Sequence, residues 1–285
     1  MTTSDREAFE RAARGAGKGG WKANGAASAS PNVPALSLTP AAWIARELPP
    51  TDHLLGELFS TTCRAVLVAD TGLGKTMLAV ALAFAMHLGR GFLHWSAKRS
   101  ARVLFVDGEM PRDLMQERLR IACTWFEVKP PTDGLFFLSR EDVEDMPPLD
   151  SEDGQAWLDA FLTALGGVDF IVFDNFMSLC ASDLRDEEGW QSLKPYVLAL
   201  TRRRIGQLWL HHVGHDKTRS YGAKAREWHM DVVMLGEACE APDADVALKL
   251  TFTKARRRKP TNRDDFESVQ IELRDGQWSS AKASS

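Results

Sequence analysis

The chain has 285 residues, a hydrophobic fraction of 44% and a formal net charge of -4. This length suits one large parallel α/β core or about two smaller domains, and we favour one main domain. The net charge excludes a general electrostatic attraction to nucleic acid, so any such affinity must come from local basic clusters.

Cysteine usage and hydropathy predict the compartment. The four cysteines are widely spaced and form no C-x-x-C pair, as expected for reduced packing residues. No signal peptide is apparent, because Asp5, Glu7 and Glu10 interrupt the N-terminal stretch. The longest apolar run, Met77–Met86, is shorter than the roughly 17 residues that cross a bilayer. We therefore expect a cytoplasmic protein that does not enter the membrane.

A flexible tail, residues 1–35, precedes the predicted folded domain, residues 36–285. Residues 11–35 are dominated by Ala, Gly, Ser, Asn and Lys, and they cannot bury enough apolar surface to order themselves. A short helix predicted around Ala41–Glu47 comes before the first core strand, Arg64–Val68.

The segment VLVADTGLGKT, residues 66–76, predicts a phosphate-binding loop between a strand and a helix. Glycines let backbone N–H groups approach the β-phosphate of a nucleotide, Lys75 reaches the β and γ oxygens, and the Thr76 hydroxyl binds Mg²⁺. Ala69 stands where G-x-x-x-x-G-K-[ST] has its first glycine, so the backbone there must accommodate a Cβ. The nucleotide-binding candidates are Ala69, Asp70, Thr71, Gly72, Leu73, Gly74, Lys75 and Thr76, and Lys75 is also a catalytic candidate.

Strand and helix signals alternate after this loop, which predicts an α/β fold with a mostly parallel sheet covered by helices. The predicted helices are Met77–Leu88, one beginning at Pro111 with Leu114, Ile121, Ala122 and Trp125 on one face, Gln155–Leu165 and Glu187–Arg204. The predicted strands are Val103–Asp107, Leu135–Leu138, Val168–Phe173 and Gln207–His211. Two alternating segments, Val246–Thr253 and Glu267–Arg274, predict an antiparallel pair at one edge.

Two of these strands end in carboxylates at the edge where the phosphate loop is expected. DFIVFDN places Asp174 where it can help to hold Mg²⁺, unless it only ends the strand in a turn. RVLFVDGEM ends in Asp107 and Glu109, and a carboxylate there can orient the attacking water. Glu109 is the predicted catalytic base, although Asp107 competes for this role and Glu109 could instead cap the helix at Pro111.

The strand LWLHH ends in His211 and His212. A polar side chain at this strand end can contact the γ-phosphate or the water and report its loss to the following loop. Paired histidines are also typical of metal sites, but no third ligand follows at a suitable spacing. His212 is therefore the predicted sensor.

The order ADTGLGKT, VDGEM, FIVFDN, LHH and FTKAR resembles the RecA-like ATPases, and most of all the RepA-type plasmid replicative helicases related to the DnaB motor domain. The resemblance covers about residues 40–275. It implies a RecA-like fold, ATP and Mg²⁺ as cofactors, and a homo-oligomeric ring, expected to be a hexamer.

The same resemblance implies that the ATP site is completed by a neighbouring subunit. A Lys-x-Arg at the end of a late strand reaches the neighbour's ATP in this family, and the matching positions are Lys254 and Arg256. Such arginine fingers stabilise the transition-state charge on the γ-phosphate. Lys224 and Arg226 are rival fingers, and KARRRK could instead be a solvated basic loop.

In RecA-like motors, the loops after the Asp and His strands face a channel that holds nucleic acid. The candidate contacts with single-stranded DNA lie in the loop after the histidines and are Lys217, Arg219, Tyr221, Lys224 and Arg226. The loop after the Asp strand carries Asp183, Asp186, Glu187 and Glu188, which would repel a phosphate backbone.

The leading prediction is a Mg²⁺-dependent, ring-forming ATPase that acts on DNA as a helicase or as a replication or recombination motor. The alternative is a regulatory ATP-binding switch that controls assembly or a protein partner, which the acidic loop and the net charge of -4 favour. A small-molecule phosphotransferase fits less well, because neither a substrate domain nor lid arginines can be located.

Overall fold

The computed structural model describes residues 39–181, 187–212 and 229–283. The chain divides into two compact units, Met1–Pro50 and Thr51–Ser285. The first unit contains helix α1, Pro40–Ile44, which ends earlier than predicted. Its N-terminus is capped by Thr39, whose hydroxyl accepts a hydrogen bond from the Ala42 N–H at 3.3 Å.

The second unit alternates strands and helices as predicted. Its described strands are β1 (His53–Leu55), β2 (Phe59–Ser60), β3 (Arg64–Ala69), β4 (Val103–Asp107), β5 (Leu135–Ser139), β6 (Phe170–Asp174), β7 (Gly206–His212), β8 (Val232–Ala238), β9 (Val246–Ala255), β10 (Val269–Arg274) and β11 (Gln277–Lys282). Its described α-helices are α2 (Lys75–Leu88), α3 (Arg112–Trp125), α4 (Glu152–Ala164), α5 (Phe176–Leu179) and α6 (Glu187–Arg202). No helix in these described ranges is long and apolar enough to cross a membrane.

Nine strands form one sheet in the order β11-β10-β9-β8-β3-β7-β6-β4-β5. The strands from β8 to β5 in this order are parallel to their neighbours, whereas β9, β10 and β11 join in antiparallel fashion. The predicted mostly parallel sheet with antiparallel C-terminal strands is confirmed. The prediction missed β8 and β11; β11 reads QWSSAK, which carries too few apolar residues to signal a strand.

The parallel strands are apolar on both faces because each face packs against helices. In β4, Val103 and Phe105 belong to the core on the side of α2, while Leu104 and Val106 belong to the opposite core with α4 and α6. Helix α2 is correspondingly buried on every side from Leu78 to Met86. This burial confirms the prediction that the helix after the phosphate loop packs between the sheet and neighbouring elements.

The face assigned to α3 is corrected by the structure. Ala122 is buried as predicted and Met115 is buried as well, whereas Leu114 and Ile121 are exposed. The packed face therefore keeps Ala122 but is turned towards Met115 and away from Leu114 and Ile121, since consecutive helical residues point about 100° apart. Trp125 does pack at the edge of the core, as predicted.

Candidate active site

The phosphate loop connects β3 to α2 and has the backbone that its glycines permit. Gly72 and Gly74 have φ of 83° and 81°, in the left-handed region where a Cβ is strained. A Cβ on Gly74 would also lie 2.6 Å from a methyl group of Val246, at the start of β9. The C=O of Gly74 accepts the first helical hydrogen bond, from Leu78 at 2.9 Å, so α2 begins directly after the loop.

Ala69 stands where the phosphate-loop pattern has a glycine, and the residue beside it on the adjacent strand is itself a glycine. Ala69 is the last residue of β3 and pairs with Gly236 of β8. A Cβ built on Gly236 would lie only 2.9 Å from the Cβ of Ala69, closer than two carbon atoms can approach without a shift. The methyl group at the entrance of the loop is therefore accommodated because its neighbour is glycine.

We expect Gly236→Ala to destabilise the protein by about 1–3 kcal/mol, the usual cost of overpacking a buried position. Denaturant unfolding with and without nucleotide measures this loss. The double variant Ala69→Gly/Gly236→Ala moves the methyl group from one strand to the other and should recover much of the stability. A single variant as stable as the wild type would contradict the proposed contact.

Lys75 and Thr76 lie at the base of the loop, next to Asp174 at the end of β6. The Lys75 ammonium is buried and donates hydrogen bonds to the C=O groups of Ala69 and Asp70 at 2.8 and 2.7 Å. The Thr76 hydroxyl donates to the Asp174 carboxylate at 2.5 Å. The structure thus brings together the lysine, hydroxyl and carboxylate that the sequence assigned to phosphate and Mg²⁺.

Burial in this crevice makes the charged forms of Lys75 and Asp174 less favourable. It lowers the pKa of Lys75 to about 8, although the nearby carboxylates of Asp174, Asp70 and Glu109 oppose the shift. Burial also raises the pKa of Asp174, against the effect of the hydrogen bond from Thr76. A bound phosphate would favour the charged lysine, and a divalent cation would favour the charged carboxylate.

The two carboxylates of VDGEM differ in environment. Asp107 is buried, accepts a hydrogen bond from the Met110 N–H at 2.8 Å, and burial raises its pKa to about 7. The Glu109 side chain is 62% exposed and reaches Asn175 and His212. Asp107 therefore shapes the turn after β4, while Glu109 is the carboxylate that solvent can reach.

His212 connects Glu109 to the phosphate loop. Its Nε2 lies 3.4 Å from Glu109 Oε2 and 2.9 Å from Asn175 Nδ2. Its Nδ1 lies 3.2 Å from the Thr71 hydroxyl. A histidine at the end of β7 thus contacts both the loop and the predicted base, in a position suited to the predicted sensor role.

Lys254 and Arg256 lie at the opposite end of the sheet from the phosphate loop. Because β9 is antiparallel to β8, Ala255 pairs with Val232, which is level with Ala65 at the start of β3. The loop follows Ala69, four residues and about 13 Å further along the strand direction. The two basic residues are therefore distant from the loop of their own chain.

Arg256 belongs to a cationic cluster at that end. Its guanidinium is 50% exposed and lies 3.4 Å from Asp231, which also accepts two 2.9 Å hydrogen bonds from Arg64. Burial lowers the pKa of His229, and the nearby charges of Lys194, Arg64, Lys254 and Arg256 add to the effect. Asp231 keeps its bidentate partner Arg64 whatever the conformation of Arg256.

The candidate nucleic-acid contacts and rival fingers lie outside the described residues; they are Lys217, Arg219, Tyr221, Lys224 and Arg226. Sequence reasoning missed two residues that shape the site, Asn175 and Gly236. Asn175 had a visible signal, because an amide directly follows Asp174 at the strand end. Gly236 had none, because its importance depends on which strand pairs with β3.

Comparisons with known proteins agree with this architecture. The sequence model of the family described as an AAA domain matches residues 29–218, more than half of the chain. A search of curated proteins found no match. Among solved structures, a KaiC-like protein from the hyperthermophilic archaeon Pyrococcus horikoshii OT3 is similar, with a TM-score of 0.54 and 13% identity. The alignment covers 83% of this chain and 99% of that chain.

At this identity the structural similarity indicates the fold alone, and the RepA-type assignment stays a prediction. The family match covers the phosphate loop, Glu109, Asp174 and His212, and it ends before Lys254 and Arg256. Together with the loop and the sheet order, it establishes that this chain belongs to the AAA domain family, as a RecA-like P-loop ATPase.

Proposed function

We propose that this protein hydrolyses ATP with Mg²⁺ in a homo-oligomeric ring, expected to be a hexamer, and that the ring acts on single-stranded DNA as a helicase or as a replication or recombination motor. The observation that supports a ring is the position of Arg256, which lies at the end of the sheet opposite the phosphate loop of its own chain. A basic residue placed there can serve an ATP site only in another subunit.

The residues at the loop supply one half of the site. The Lys75 ammonium would bind the β and γ oxygens, and the Thr76 hydroxyl and the Asp174 carboxylate, which lie 2.5 Å apart, would hold Mg²⁺. Mg²⁺ supplies charge neutralisation on the phosphate oxygens when it is bound. Within the described ranges, no group of three or more His, Cys, Asp or Glu side chains could hold a metal alone, which agrees with a cation shared with the phosphates.

Glu109 orients the attacking water and accepts its proton. Its exposed carboxylate lies beside His212, which contacts the loop through Thr71. His212 is placed to respond when the γ-phosphate leaves and to pass the change to the loop that follows β7.

The second half of the site comes from the neighbouring subunit. Arg256 or Lys254 approaches the γ-phosphate and stabilises the charge that develops there. The exposed guanidinium of Arg256 and the surrounding positive charge support Arg256 as the main finger.

A regulatory ATP-binding switch is the second candidate function. The sequence after Asp174 carries four acidic residues and the net charge is -4, which favour a protein partner over a polyanion. In this case ATP would control assembly or the binding of a protein partner, without translocation along DNA.

The experiment that separates the two functions is the ATPase rate with and without single-stranded DNA at two salt concentrations. A motor should be stimulated several-fold, and the DNA affinity should fall steeply as salt rises. Heparin controls for simple polyanion binding, and Lys75→Ala controls for a contaminating ATPase. A rate that DNA leaves unchanged, together with no binding at low salt, would contradict the motor and support the switch.

A further inference from the structure

The Asn175 amide makes polar contacts through both its oxygen and its nitrogen beside the phosphate loop. Asn175 follows β6 directly and is 1% exposed. Its Oδ1 accepts hydrogen bonds from the N–H and the hydroxyl of Ser178, both at 3.2 Å, and so caps the short helix α5. The cap fixes the amide so that Nδ2 points to the other side.

The Nδ2 side of this amide contacts both Glu109 and His212. It donates a hydrogen bond to Glu109 Oε2 and lies 2.9 Å from His212 Nε2. An amide nitrogen has two hydrogens and accepts none, so each hydrogen serves one of these partners. His212 Nε2 must then be the acceptor in this contact.

The direction of that bond determines the tautomer of His212. If Nε2 accepts, a neutral imidazole carries its proton on Nδ1. Nδ1 faces the Thr71 hydroxyl at 3.2 Å, which accepts this proton in a hydrogen bond. Glu109, Asn175, His212 and Thr71 therefore form one chain of hydrogen bonds from the predicted base to the phosphate loop.

We infer that Asn175 is a positioning residue that orients the Glu109 carboxylate and selects the Nδ1–H tautomer of His212. The inference rests on the proposed function for the role of Glu109 in hydrolysis. The Glu109 side chain is 62% exposed, so few packing contacts restrict its rotamers, and the amide restricts them instead. In the Nδ1–H tautomer, His212 donates to Thr71 and accepts from the amide that also holds Glu109.

Asn175→Asp separates this role from helix capping. Aspartate has the same shape and still accepts the two bonds from Ser178, but it cannot donate to Glu109 or His212. We expect kcat to fall about 100-fold, as for a misplaced catalytic group, with the Kd for ATP within threefold of the wild type. A neighbouring carboxylate favours the protonated imidazole over the neutral Nδ1–H form, so the acid limb of the pH profile of kcat should move to higher pH.

Ser178→Ala is the matched control, since it removes one bond to Oδ1 and leaves the Nδ2 side unchanged. It should keep the wild-type kcat and pH profile. If Asn175→Asp does not fold, Asn175→Ser replaces it, because the hydroxyl can cap α5 but is too short to reach Glu109. If the folded Asn175→Asp variant, or Asn175→Ser in its place, keeps the wild-type kcat and pH profile, the inference is overturned and Asn175 is only a helix cap.

A second measurement does not depend on turnover. The ¹⁵N NMR spectrum of histidine-labelled protein should show Nδ1 of His212 protonated and Nε2 unprotonated in the wild type, and a different tautomer balance in Asn175→Asp. An Nε2–H tautomer in the wild type would overturn the inference. A wild-type protein that shows the expected tautomer but hydrolyses no ATP would instead contradict the proposed function.

Discussion

Replacement of Glu109 by Gln is expected to lower kcat for ATP hydrolysis by about 10²- to 10⁴-fold, the range for loss of a general base. Glutamine has nearly the same shape but cannot accept a proton from water. The Kd for ATP should change little, because Lys75, Thr76 and Asp174 make the predicted phosphate and Mg²⁺ contacts. Single-turnover hydrolysis and the binding of a fluorescent ATP analogue measure the two quantities separately.

Glu117→Gln is the matched control, because it makes the same substitution at an exposed position of α3. It should leave both kcat and Kd at the wild-type values. Asp107→Asn tests the competing carboxylate, which is buried and accepts a hydrogen bond from the Met110 N–H. Retained turnover in Glu109→Gln together with lost turnover in Asp107→Asn would exchange the two roles.

Arg256→Ala is expected to reduce kcat by about 10³- to 10⁵-fold if Arg256 acts as an arginine finger. Asp231 keeps its two 2.9 Å bonds from Arg64, so we expect the variant to fold. Mixed with wild type, it should lower the rate by more than its share of subunits, because each variant subunit impairs the site of its neighbour. The measurement is the ATPase rate of mixtures as a function of the variant fraction.

A complementation experiment sharpens this test. Lys75→Ala and Arg256→Ala should each be inactive alone, but a mixture should recover activity at interfaces where an intact loop meets an intact finger. Arg258→Ala, an exposed neighbour in the same basic run, should behave like wild type in both experiments. A rate that falls only in proportion to the variant fraction, with no complementation, would show that Arg256 does not act in trans.

The architecture was largely predictable because its signals are local. Buried parallel strands are continuous apolar runs, and the loop pattern lies between one such run and a helix. Strand β8 was missed although it pairs with β3, because its run VVMLGEA follows a long polar stretch and loses its pattern at Gly236. The face of α3 was only partly right, because Leu114 and Ile121 form an apolar stripe next to the one that packs, and only the contact with α2 selects between them.

The sequence by itself determined which chemical groups lie at the ends of β3, β4, β6 and β7: a lysine and a hydroxyl, carboxylates, and a histidine beside them. These residues are readable because parallel strands open their carboxyl ends at one edge, so their order along the chain predicts their proximity.

Only the tertiary structure decided which neighbours those residues have. Strand pairing places Gly236 opposite Ala69, and the close approach of β6 and β7 puts Asn175 between Glu109 and His212. The antiparallel direction of β9 carries Arg256 away from its own loop. Such contacts join residues far apart in the chain. Local sequence patterns cannot predict these contacts, because the contacts depend on strand order and direction.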